Sequence, residues 1–312
     1  MYSLSSCWNS GRHQDGAEML REIRDLGFEY AELSHGIRVS LVPGIISAVE
    51  SGMIKISTLH NFCPLPMGVN HPAPNLFKFS APEKRERDLA WKHSIKTLEM
   101  AERLGAKLVV LHSGDVNLAG FFGNPNFQDK LEAMATAGQM GSPKYQKMMN
   151  ELEQRRESRK DESMALSLEF IDRLAGVAQE KGLLLGIENR EGVHEIPFDH
   201  DLPFFLERLP PNVRYWHDCG HAQIKHQLGF IDHRMHLETL SERLGGLHVH
   251  DVVLTPEGAH DHAPPGAGII KYADLKPFVG PEYIKVIELN PGVQPEDVTR
   301  GFDYIRSVWG DQ

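Results

Sequence analysis

Histidine and carboxylate residues recur in this sequence at the ends of short apolar runs. The chain has 17 histidines, more than its 4 tryptophans and 7 tyrosines combined. Histidine is the side chain most used for metal binding and for proton transfer near neutral pH. Two glutamates, Glu188 and Glu288, also close apolar runs, and carboxylates buried near imidazoles are readily compensated by a divalent metal ion. These residue types indicate a metal-binding site.

The apolar runs alternate with longer amphipathic segments, a pattern typical of βαβ units and a parallel sheet. Eight runs predict strands, at residues 2–6, 29–34, 54–61, 106–113, 183–189, 214–218, 246–251 and 284–290. The amphipathic segments predict helices at 15–26, 83–104, 163–181, 201–209, 236–244 and 295–308. Eight strands separated by helices in a chain of 312 residues favour a closed (β/α)8 barrel over an open sheet. We therefore expect a single TIM barrel domain over residues 1–312.

One connection in this scheme is unusually long. The segment 115–162, after the fourth predicted strand, contains a glycine- and asparagine-rich stretch (GFFGNPNF) and then a charged one. Insertions in a barrel usually lie over the carboxyl-terminal face, so this segment is a candidate lid. A GxGxxG turn is missing after the first strand, which argues against a nucleotide cofactor.

Nearly every predicted strand ends in an ionisable residue. In a barrel these ends meet on one rim, so residues far apart in sequence come close together. Ionisable groups at the ends of buried strands need compensation, and a divalent metal ion offsets the charge of several ligands at once. The strand-end residues are His60, His112, Glu188, Asp218, His221, His248, His250, Asp251 and Glu288.

The amino-acid composition indicates which classes of binding partner to expect. The residues are 41% hydrophobic and 24% charged, as in ordinary soluble globular proteins. A formal net charge of -10 disfavours a nucleic-acid partner. We expect no membrane anchor or export signal, because no apolar run reaches the length of a membrane span and the N-terminus lacks a signal-peptide pattern. The three scattered cysteines, Cys7, Cys63 and Cys219, indicate a reducing, cytoplasmic location.

Several motifs, taken in chain order, resemble those of the xylose-isomerase-like barrel superfamily. They are TLHNF (58–62), VVLHSGD (109–115), GIENR (186–190), HDCGHA (217–222), LHVHD (247–251), HDHAPPGAG (260–268) and VIELNPG (286–292). The superfamily includes sugar isomerases and epimerases, inosose dehydratases and multi-zinc apurinic endonucleases. The resemblance runs from the first strand to the last and implies the same barrel, but the fold does not decide among these activities.

In the ketose epimerase branch the resemblance implies one divalent ion, held by Glu188, Asp218, His248 and Glu288. The ion polarises a sugar carbonyl while one glutamate removes the neighbouring carbon-bound proton and the other returns it, by way of a cis-enediolate. His221 is implied to bind a substrate oxygen. Manganese, magnesium, cobalt, iron and zinc all accept such a mixed donor set.

In the endonuclease branch the resemblance implies nine ligands and three zinc ions. The additional ligands fall on His60, His112, His221, His260 and His262. One position departs from that family's pattern: His260 stands where an aspartate is expected, with Asp261 shifted by one residue. Two close metal ions can clamp the oxygens of a phosphoester during hydrolysis. The third candidate activity is removal of water from a keto-polyol, as in the related lyases.

Other residues beside the rim are candidate substrate contacts. Arg190 can bind a substrate oxygen or phosphate, and aromatic rings can stack on a sugar. The aromatic candidates are Phe62, Trp216, Phe121 and Phe122.

The rim loops favour a small substrate. The loops after His60 and around His260 are proline-rich and lack lysine and arginine, which suits a compact pocket better than a DNA groove. We therefore expect an isomerase or epimerase of a small sugar or polyol, with or without a phosphate group, in preference to a zinc hydrolase. The helices of such barrels often pair, so a homo-oligomer is also compatible with the sequence.

Overall fold

The computed structural model describes residues 1–118, 127–256 and 258–310. Its strands are, in chain order, β1 (Tyr2–Ser5), β2 (Tyr30–Leu33), β3 (Lys55–His60), β4 (Leu108–Leu111), β5 (Leu184–Glu188), β6 (Val213–Asp218), β7 (Leu244–Val249), β8 (Asp251–Thr255), β9 (Gly258–Ala263) and β10 (Ile284–Ile287). Strands β1 to β7 and β10 are parallel and close into a barrel, in which β10 pairs with β1 and β7. The predicted (β/α)8 barrel is confirmed, and each of the eight predicted strands overlaps one barrel strand.

The helices in the described part of the chain are α1 (Gly16–Asp25), α2 (Val42–Glu50), α3 (Lys84–Leu104), α4 (Phe127–Thr136), α5 (Pro143–Glu157), α6 (Lys160–Glu180), α7 (Leu202–Glu207), α8 (Cys219–Gln227), α9 (His233–Leu240), α10 (Tyr272–Leu275) and α11 (Pro295–Trp309). All six predicted helices are found. The predicted insertion after the fourth strand contains α4, α5 and the start of α6. No helix in the described ranges is long and apolar enough to cross a membrane.

Local sequence explains where several helices begin and end. The Asp15 side chain accepts a hydrogen bond from the Ala17 N–H and caps α1, which satisfies one of the unpaired donors at a helix start. Helix α3 ends at Leu104 and is followed by Gly105, whose φ of 70° lies in the left-handed region that favours glycine. The helix predicted at 236–244 begins earlier, because Asp232 accepts a hydrogen bond from the Met235 N–H and caps α9 at His233.

An antiparallel hairpin interrupts the regular alternation after β7. Strands β8 and β9 pair with each other outside the barrel, and the chain then returns to the barrel at β10. The hairpin follows the carboxyl end of β7, so it lies at the rim where the strand-end residues meet.

The barrel interior below that rim is filled by apolar side chains from alternate strands. Leu108, Val110, Trp216 and Val286 pack there as one buried cluster. Gly246 makes room for the indole, because a Cβ at this position would lie only 2.4 Å from Trp216 Cζ3. The barrel is therefore a packed core that supports the rim from beneath.

Candidate metal centre

Four neighbouring barrel strands bring together the residues of the first candidate centre. Glu188 and Asp218 are the last residues of β5 and β6, His248 is next to last in β7, and Glu288 directly follows β10. All four side chains are buried. Each offers a ligand atom, and these atoms lie within 4.8 Å of one another. We call Glu188, Asp218, His248 and Glu288 the primary centre.

One imidazole nitrogen faces all three carboxylates of the primary centre. His248 Nδ1 lies 2.6 Å from Glu188 Oε1, 3.1 Å from Glu288 Oε2 and 3.6 Å from Asp218 Oδ2. Three buried carboxylates in such proximity need compensating positive charge. Oxygen donors with one imidazole nitrogen are a donor set that divalent transition metals accept, so these residues fit a single ion.

The other ring nitrogen of His248 contacts a buried glutamate deeper in the barrel. His248 Nε2 lies 3.2 Å from each carboxylate oxygen of Glu32, on β2. Glu32 is itself held by the hydroxyls of Ser5 and Thr58, which donate to Oε1 and Oε2 at 2.9 and 2.8 Å. A proton on Nε2 that is donated to Glu32 leaves the lone pair of Nδ1 for a metal ion. Sequence reasoning missed Glu32, although an acidic residue within a buried strand was the available signal.

Electrostatics keep the two glutamates of the primary centre ionised. Burial raises the pKa of Glu188, but the positive charge of Arg190 and the nearby His112 and His248 hold it well below its ordinary value. Burial likewise raises the pKa of Glu288, while His248 and His262 lower it further than burial raises it. Both side chains are therefore carboxylates near neutral pH, the form needed to bind a cation or accept a proton.

Asp218 is oriented by a histidine that does not itself join the primary centre. His250 Nε2 lies 3.0 Å from Asp218 Oδ2, and His250 Nδ1 accepts a hydrogen bond from the His262 N–H at 2.8 Å. The proton of this imidazole is therefore on Nε2, from which it is donated to Asp218. Gly220 allows the arrangement, because a Cβ there would lie 2.1 Å from His250 Cε1.

A second cluster shares Glu188 with the primary centre. Glu188 Oε2 lies 2.8 Å from His112 Nε2 and 3.7 Å from His60 Nε2. His112 Nδ1 lies 2.7 Å from Asn75 Oδ1, to which it donates. His112 Nε2 has no hydrogen-bond partner among the described residues. Burial and then Arg190 lower the pKa of His112 to about 4, so this nitrogen is an acceptor near neutral pH. We call His60, His112 and Glu188 the second cluster.

Arg190 points into the same region. Its Nη1 lies 2.8 Å from Glu188 Oε2 and 3.2 Å from His221 Nδ1. Its Nε donates to Glu195 Oε1 at 3.1 Å. Burial raises the pKa of Glu195, but Arg190 and the nearby His112 and His221 together lower it, to about 2. Arg190 is thus fixed by two carboxylates beside the primary centre.

His221 on α8 lies close to Asp261 and His262 on the hairpin, and we call these three residues the third cluster. His221 Nε2 lies 3.6 Å from Asp261 Oδ2, and His262 Nδ1 lies 2.9 Å from Asp261 Oδ1. His260, predicted as a possible additional metal ligand, does not lie with these residues. His260 is exposed and its Nε2 lies 3.0 Å from Thr255 Oγ1 across the hairpin. The φ of 57° at His262 interrupts the alternation of side chains along β9, so Asp261 and His262 both face the rim.

The aromatic residues proposed to stack on a substrate lie in the protein interior. Trp216 is fully buried beneath the centre, with its ring edge against His248 at a centroid distance of 5.1 Å. Phe62 is buried against Phe77. Both expectations are corrected, because these side chains are oriented into the core. The other two aromatic candidates, Phe121 and Phe122, lie outside the described residues.

Sequence reasoning also missed His35, just beyond β2. Its ring lies 4.8 Å from that of His60, and its Nδ1 is buried with no hydrogen-bond partner among the described residues. Burial holds the pKa of His35 well below its ordinary value. A neutral imidazole therefore extends the polar wall of the site beyond the second cluster.

A family model described as xylose isomerase-like TIM barrel matches residues 20–307. The chain belongs to this family. Solved structures with the same fold include a D-tagatose 3-epimerase-like protein, with 14% identity, a TM-score of 0.68 and coverage of 99% of this chain and 97% of that one. A search of curated proteins found no match.

Two further solved structures with this fold have similar TM-scores. The 3-keto-D-glucoside 4-epimerase from E. coli is 15% identical, with a TM-score of 0.66 and coverage of 98% of both chains. The D-psicose 3-epimerase from Clostridium cellulolyticum H10 is 13% identical, with a TM-score of 0.66 and coverage of 99% of both chains. At such low identity the similarity establishes the fold alone.

Proposed function

We propose that this protein is a divalent-metal-dependent isomerase or epimerase of a small sugar or polyol, with or without a phosphate group. The observation that carries the proposal is the convergence of Glu188, Asp218 and Glu288 on one nitrogen of His248. Solved structures of the same fold include a D-tagatose 3-epimerase-like protein and epimerases named for psicose and a keto-glucoside, which supports a sugar substrate.

The primary centre would hold the metal ion through four side chains, Glu188, Asp218, His248 and Glu288. When bound, a divalent ion supplies Lewis-acid polarisation of a substrate carbonyl, which acidifies the hydrogen on the neighbouring carbon. Manganese, magnesium, cobalt, iron and zinc each suit mixed carboxylate and imidazole donors. No nucleotide cofactor is part of the proposal.

The two glutamates would carry the proton transfer. One carboxylate accepts the proton from the carbon next to the carbonyl, and the electron pair of the broken C–H bond moves into an enediolate. The other glutamate takes up a proton from solvent and delivers it to the opposite face of that carbon, which inverts its configuration, and the first glutamate then releases its proton to solvent. Glu188 and Glu288 both lie close to His248 Nδ1, at 2.6 and 3.1 Å, so both would reach one substrate bound at the primary centre.

Cationic and imidazole groups around the primary centre would bind the substrate oxygens. Arg190 and His221 line the side next to Glu188. His262 lies on the side of Glu288, with its Nε2 at 3.7 Å from Glu288 Oε2. These groups donate hydrogen bonds to hydroxyl or carbonyl oxygens and so orient the sugar between the two carboxylates.

Solvent-deuterium exchange tests this function directly. The manganese-loaded protein is incubated in D2O with a panel of ketoses, ketose phosphates and keto-polyols, and the products are followed by NMR. We expect deuterium at the carbon next to the carbonyl, together with the epimer or isomer, and a loss of both in Glu188→Gln and Glu288→Gln. A fully loaded protein that exchanges no hydrogen on any member of the panel would overturn the proposal.

A multi-zinc hydrolase is the second candidate, because the second and third clusters place additional histidines beside the primary centre. Hydrolysis of an abasic-site oligonucleotide by the zinc-loaded protein would support this function. The net charge of -10 argues against binding to DNA. Loss of water from a keto-polyol in the D2O experiment would instead indicate a dehydratase.

A further inference from the structure

We propose that the guanidinium of Arg190 takes the place of a second cation and so limits this barrel to one metal ion. The inference rests on the proposed function, since it concerns the same site. It identifies Arg190 as the residue that separates a single-metal barrel from a multi-zinc one.

The two oxygens of Glu188 face different groups. Oε1 lies 2.6 Å from His248 Nδ1 in the primary centre. Oε2 lies 2.8 Å from His112 Nε2 in the second cluster. In a two-metal site such a carboxylate can bridge the ions, with one oxygen on each. Here Arg190 Nη1 lies 2.8 Å from Oε2, so a charged donor already contacts the oxygen that a second ion would need.

Arg190 is held in this position by a second carboxylate. Its Nε donates to Glu195 Oε1 at 3.1 Å. Glu195 is buried, and its Oε2 accepts a hydrogen bond from the Gly192 N–H at 3.0 Å. Asn75 also lies against Glu195, with Nδ2 at 3.3 Å from Oε1. A planar guanidinium bound along two edges keeps a defined orientation.

The same guanidinium reaches the third cluster. Arg190 Nη1 lies 3.2 Å from His221 Nδ1, and His221 Nε2 lies 3.6 Å from Asp261 Oδ2. Arg190 therefore contacts Glu188, which belongs to both the primary centre and the second cluster, and His221 of the third cluster. No metal ion could occupy the second cluster without lying close to this positive charge.

Charge in the second cluster opposes a further ion. As defined among the described residues, the cluster contains one carboxylate, that of Glu188, and the two histidines add no negative charge. That carboxylate is shared with the primary centre and with Arg190. A divalent ion placed there would meet the repulsion of a nearby guanidinium in a buried site, where charges are poorly screened. His60 and His112 are then left to bind substrate oxygens.

Metal stoichiometry tests the inference without any substrate. Chelator-stripped protein is titrated with Zn2+ by calorimetry, and bound zinc is measured by mass spectrometry after gel filtration. We expect one equivalent for the wild type, one for Arg190→Lys, which keeps the charge, and two for Arg190→Met. The double variant Arg190→Met/His112→Ala should return to one equivalent, which locates the added ion in the second cluster.

A buried arginine elsewhere provides the matched control. The guanidinium of Arg156 stacks on Phe198 at 3.7 Å, away from the primary centre, and Arg156→Met should remain at one equivalent. Two or more equivalents in the wild type, or one equivalent in a folded Arg190→Met protein with unchanged circular dichroism, would overturn the inference. A wild-type protein that binds no zinc would contradict both this inference and the proposed function. One equivalent of metal without turnover would contradict the proposed function alone.

Discussion

Both carboxylate oxygens of Glu32 lie 3.2 Å from Nε2 of His248, the ring nitrogen that faces away from the primary centre. The contact joins β2 to β7 across the barrel interior, where both side chains are fully buried. It determines which nitrogen of His248 carries the proton and which presents a lone pair. Metal binding at the proposed centre would therefore depend on Glu32, which acts through this histidine.

Replacing Glu32 by leucine should weaken manganese binding by about 10- to 100-fold, because His248 loses the acceptor that orients it. The dissociation constant is measured by calorimetry. Glu32→Gln is the matched control, since its amide oxygen still accepts from Nε2, and its loss should be smaller. An unchanged dissociation constant in the leucine variant would show that this hydrogen bond does not contribute to metal binding.

Replacing either Glu188 or Glu288 by glutamine should reduce turnover by about 10²- to 10⁴-fold, since an amide cannot accept or return the proton. The fold should be retained, because each amide fills nearly the same volume as the acid. Turnover is followed by the deuterium-exchange assay and the fold by circular dichroism. The exposed Glu157 provides a neutral control in Glu157→Gln. Undiminished turnover in both Glu188→Gln and Glu288→Gln would refute the two-carboxylate mechanism.

His60→Ala distinguishes the epimerase from the hydrolase. His60 belongs to the second cluster and lies outside the primary centre. The variant should therefore retain its single equivalent of metal, as measured by mass spectrometry of the purified protein. A multi-zinc hydrolase would instead lose one equivalent.

Trp216→Ala should destabilise the protein by about 3–5 kcal/mol, the usual cost of removing a large aromatic side chain from a core. The reason is that Trp216 fills the barrel beneath His248, among Leu108 and Val286. Urea denaturation gives the free energy of unfolding. The comparison is Phe204→Ala, whose side chain is largely exposed and whose loss should cost about 0.5 kcal/mol or less. Equal stability of Trp216→Ala and the wild type would contradict the placement of this residue.

Stability should fall with decreasing pH partly through His233. Burial, and then the nearby His236, lower its pKa to about 3 in the folded protein, against about 6.5 in an unfolded chain. Between these values the unfolded chain binds a proton that the folded chain does not. The free energy of unfolding therefore decreases as the pH falls from about 6.5 towards 3, by up to about 1.4 kcal/mol per pH unit from this one group.

Urea denaturation between pH 4 and 7 checks this dependence. His233→Gln should show a shallower decrease in stability than the wild type. His200→Gln alters an exposed histidine and should leave the slope unchanged. A slope in His233→Gln equal to that of the wild type would contradict the assignment of this effect to His233.

The residues at the strand ends were predictable because a parallel barrel brings all carboxyl ends to one rim. The orientation of side chains on that rim was not. Trp216 precedes Asp218 by two residues, so both side chains point into the barrel. Trp216 lies one layer deeper, where it packs in the core and not against a substrate. Asp261 faces the rim in place of the predicted His260 because of the backbone conformation at His262, which no pattern in the sequence reveals.

Other elements were missed for different physical reasons. Helix α2 is only nine residues long, is apolar along most of its length and has Pro43 and Gly44 in its first turn, so its sequence does not clearly mark a helix. The hairpin β8–β9 consists largely of exposed or half-buried residues, so it carries little hydrophobic periodicity. Glu32 was overlooked because its partner, His248, lies 216 residues away in sequence.

The central claim is that four side chains from four strands hold one divalent ion between them. An anomalous difference map from a crystal of the manganese-loaded protein measures this directly. We predict one strong peak per chain, at about 2.2 Å from donor atoms of Glu188, Asp218, His248 and Glu288. A map in which these four side chains surround no peak, or in which the ion lies elsewhere, would contradict the account.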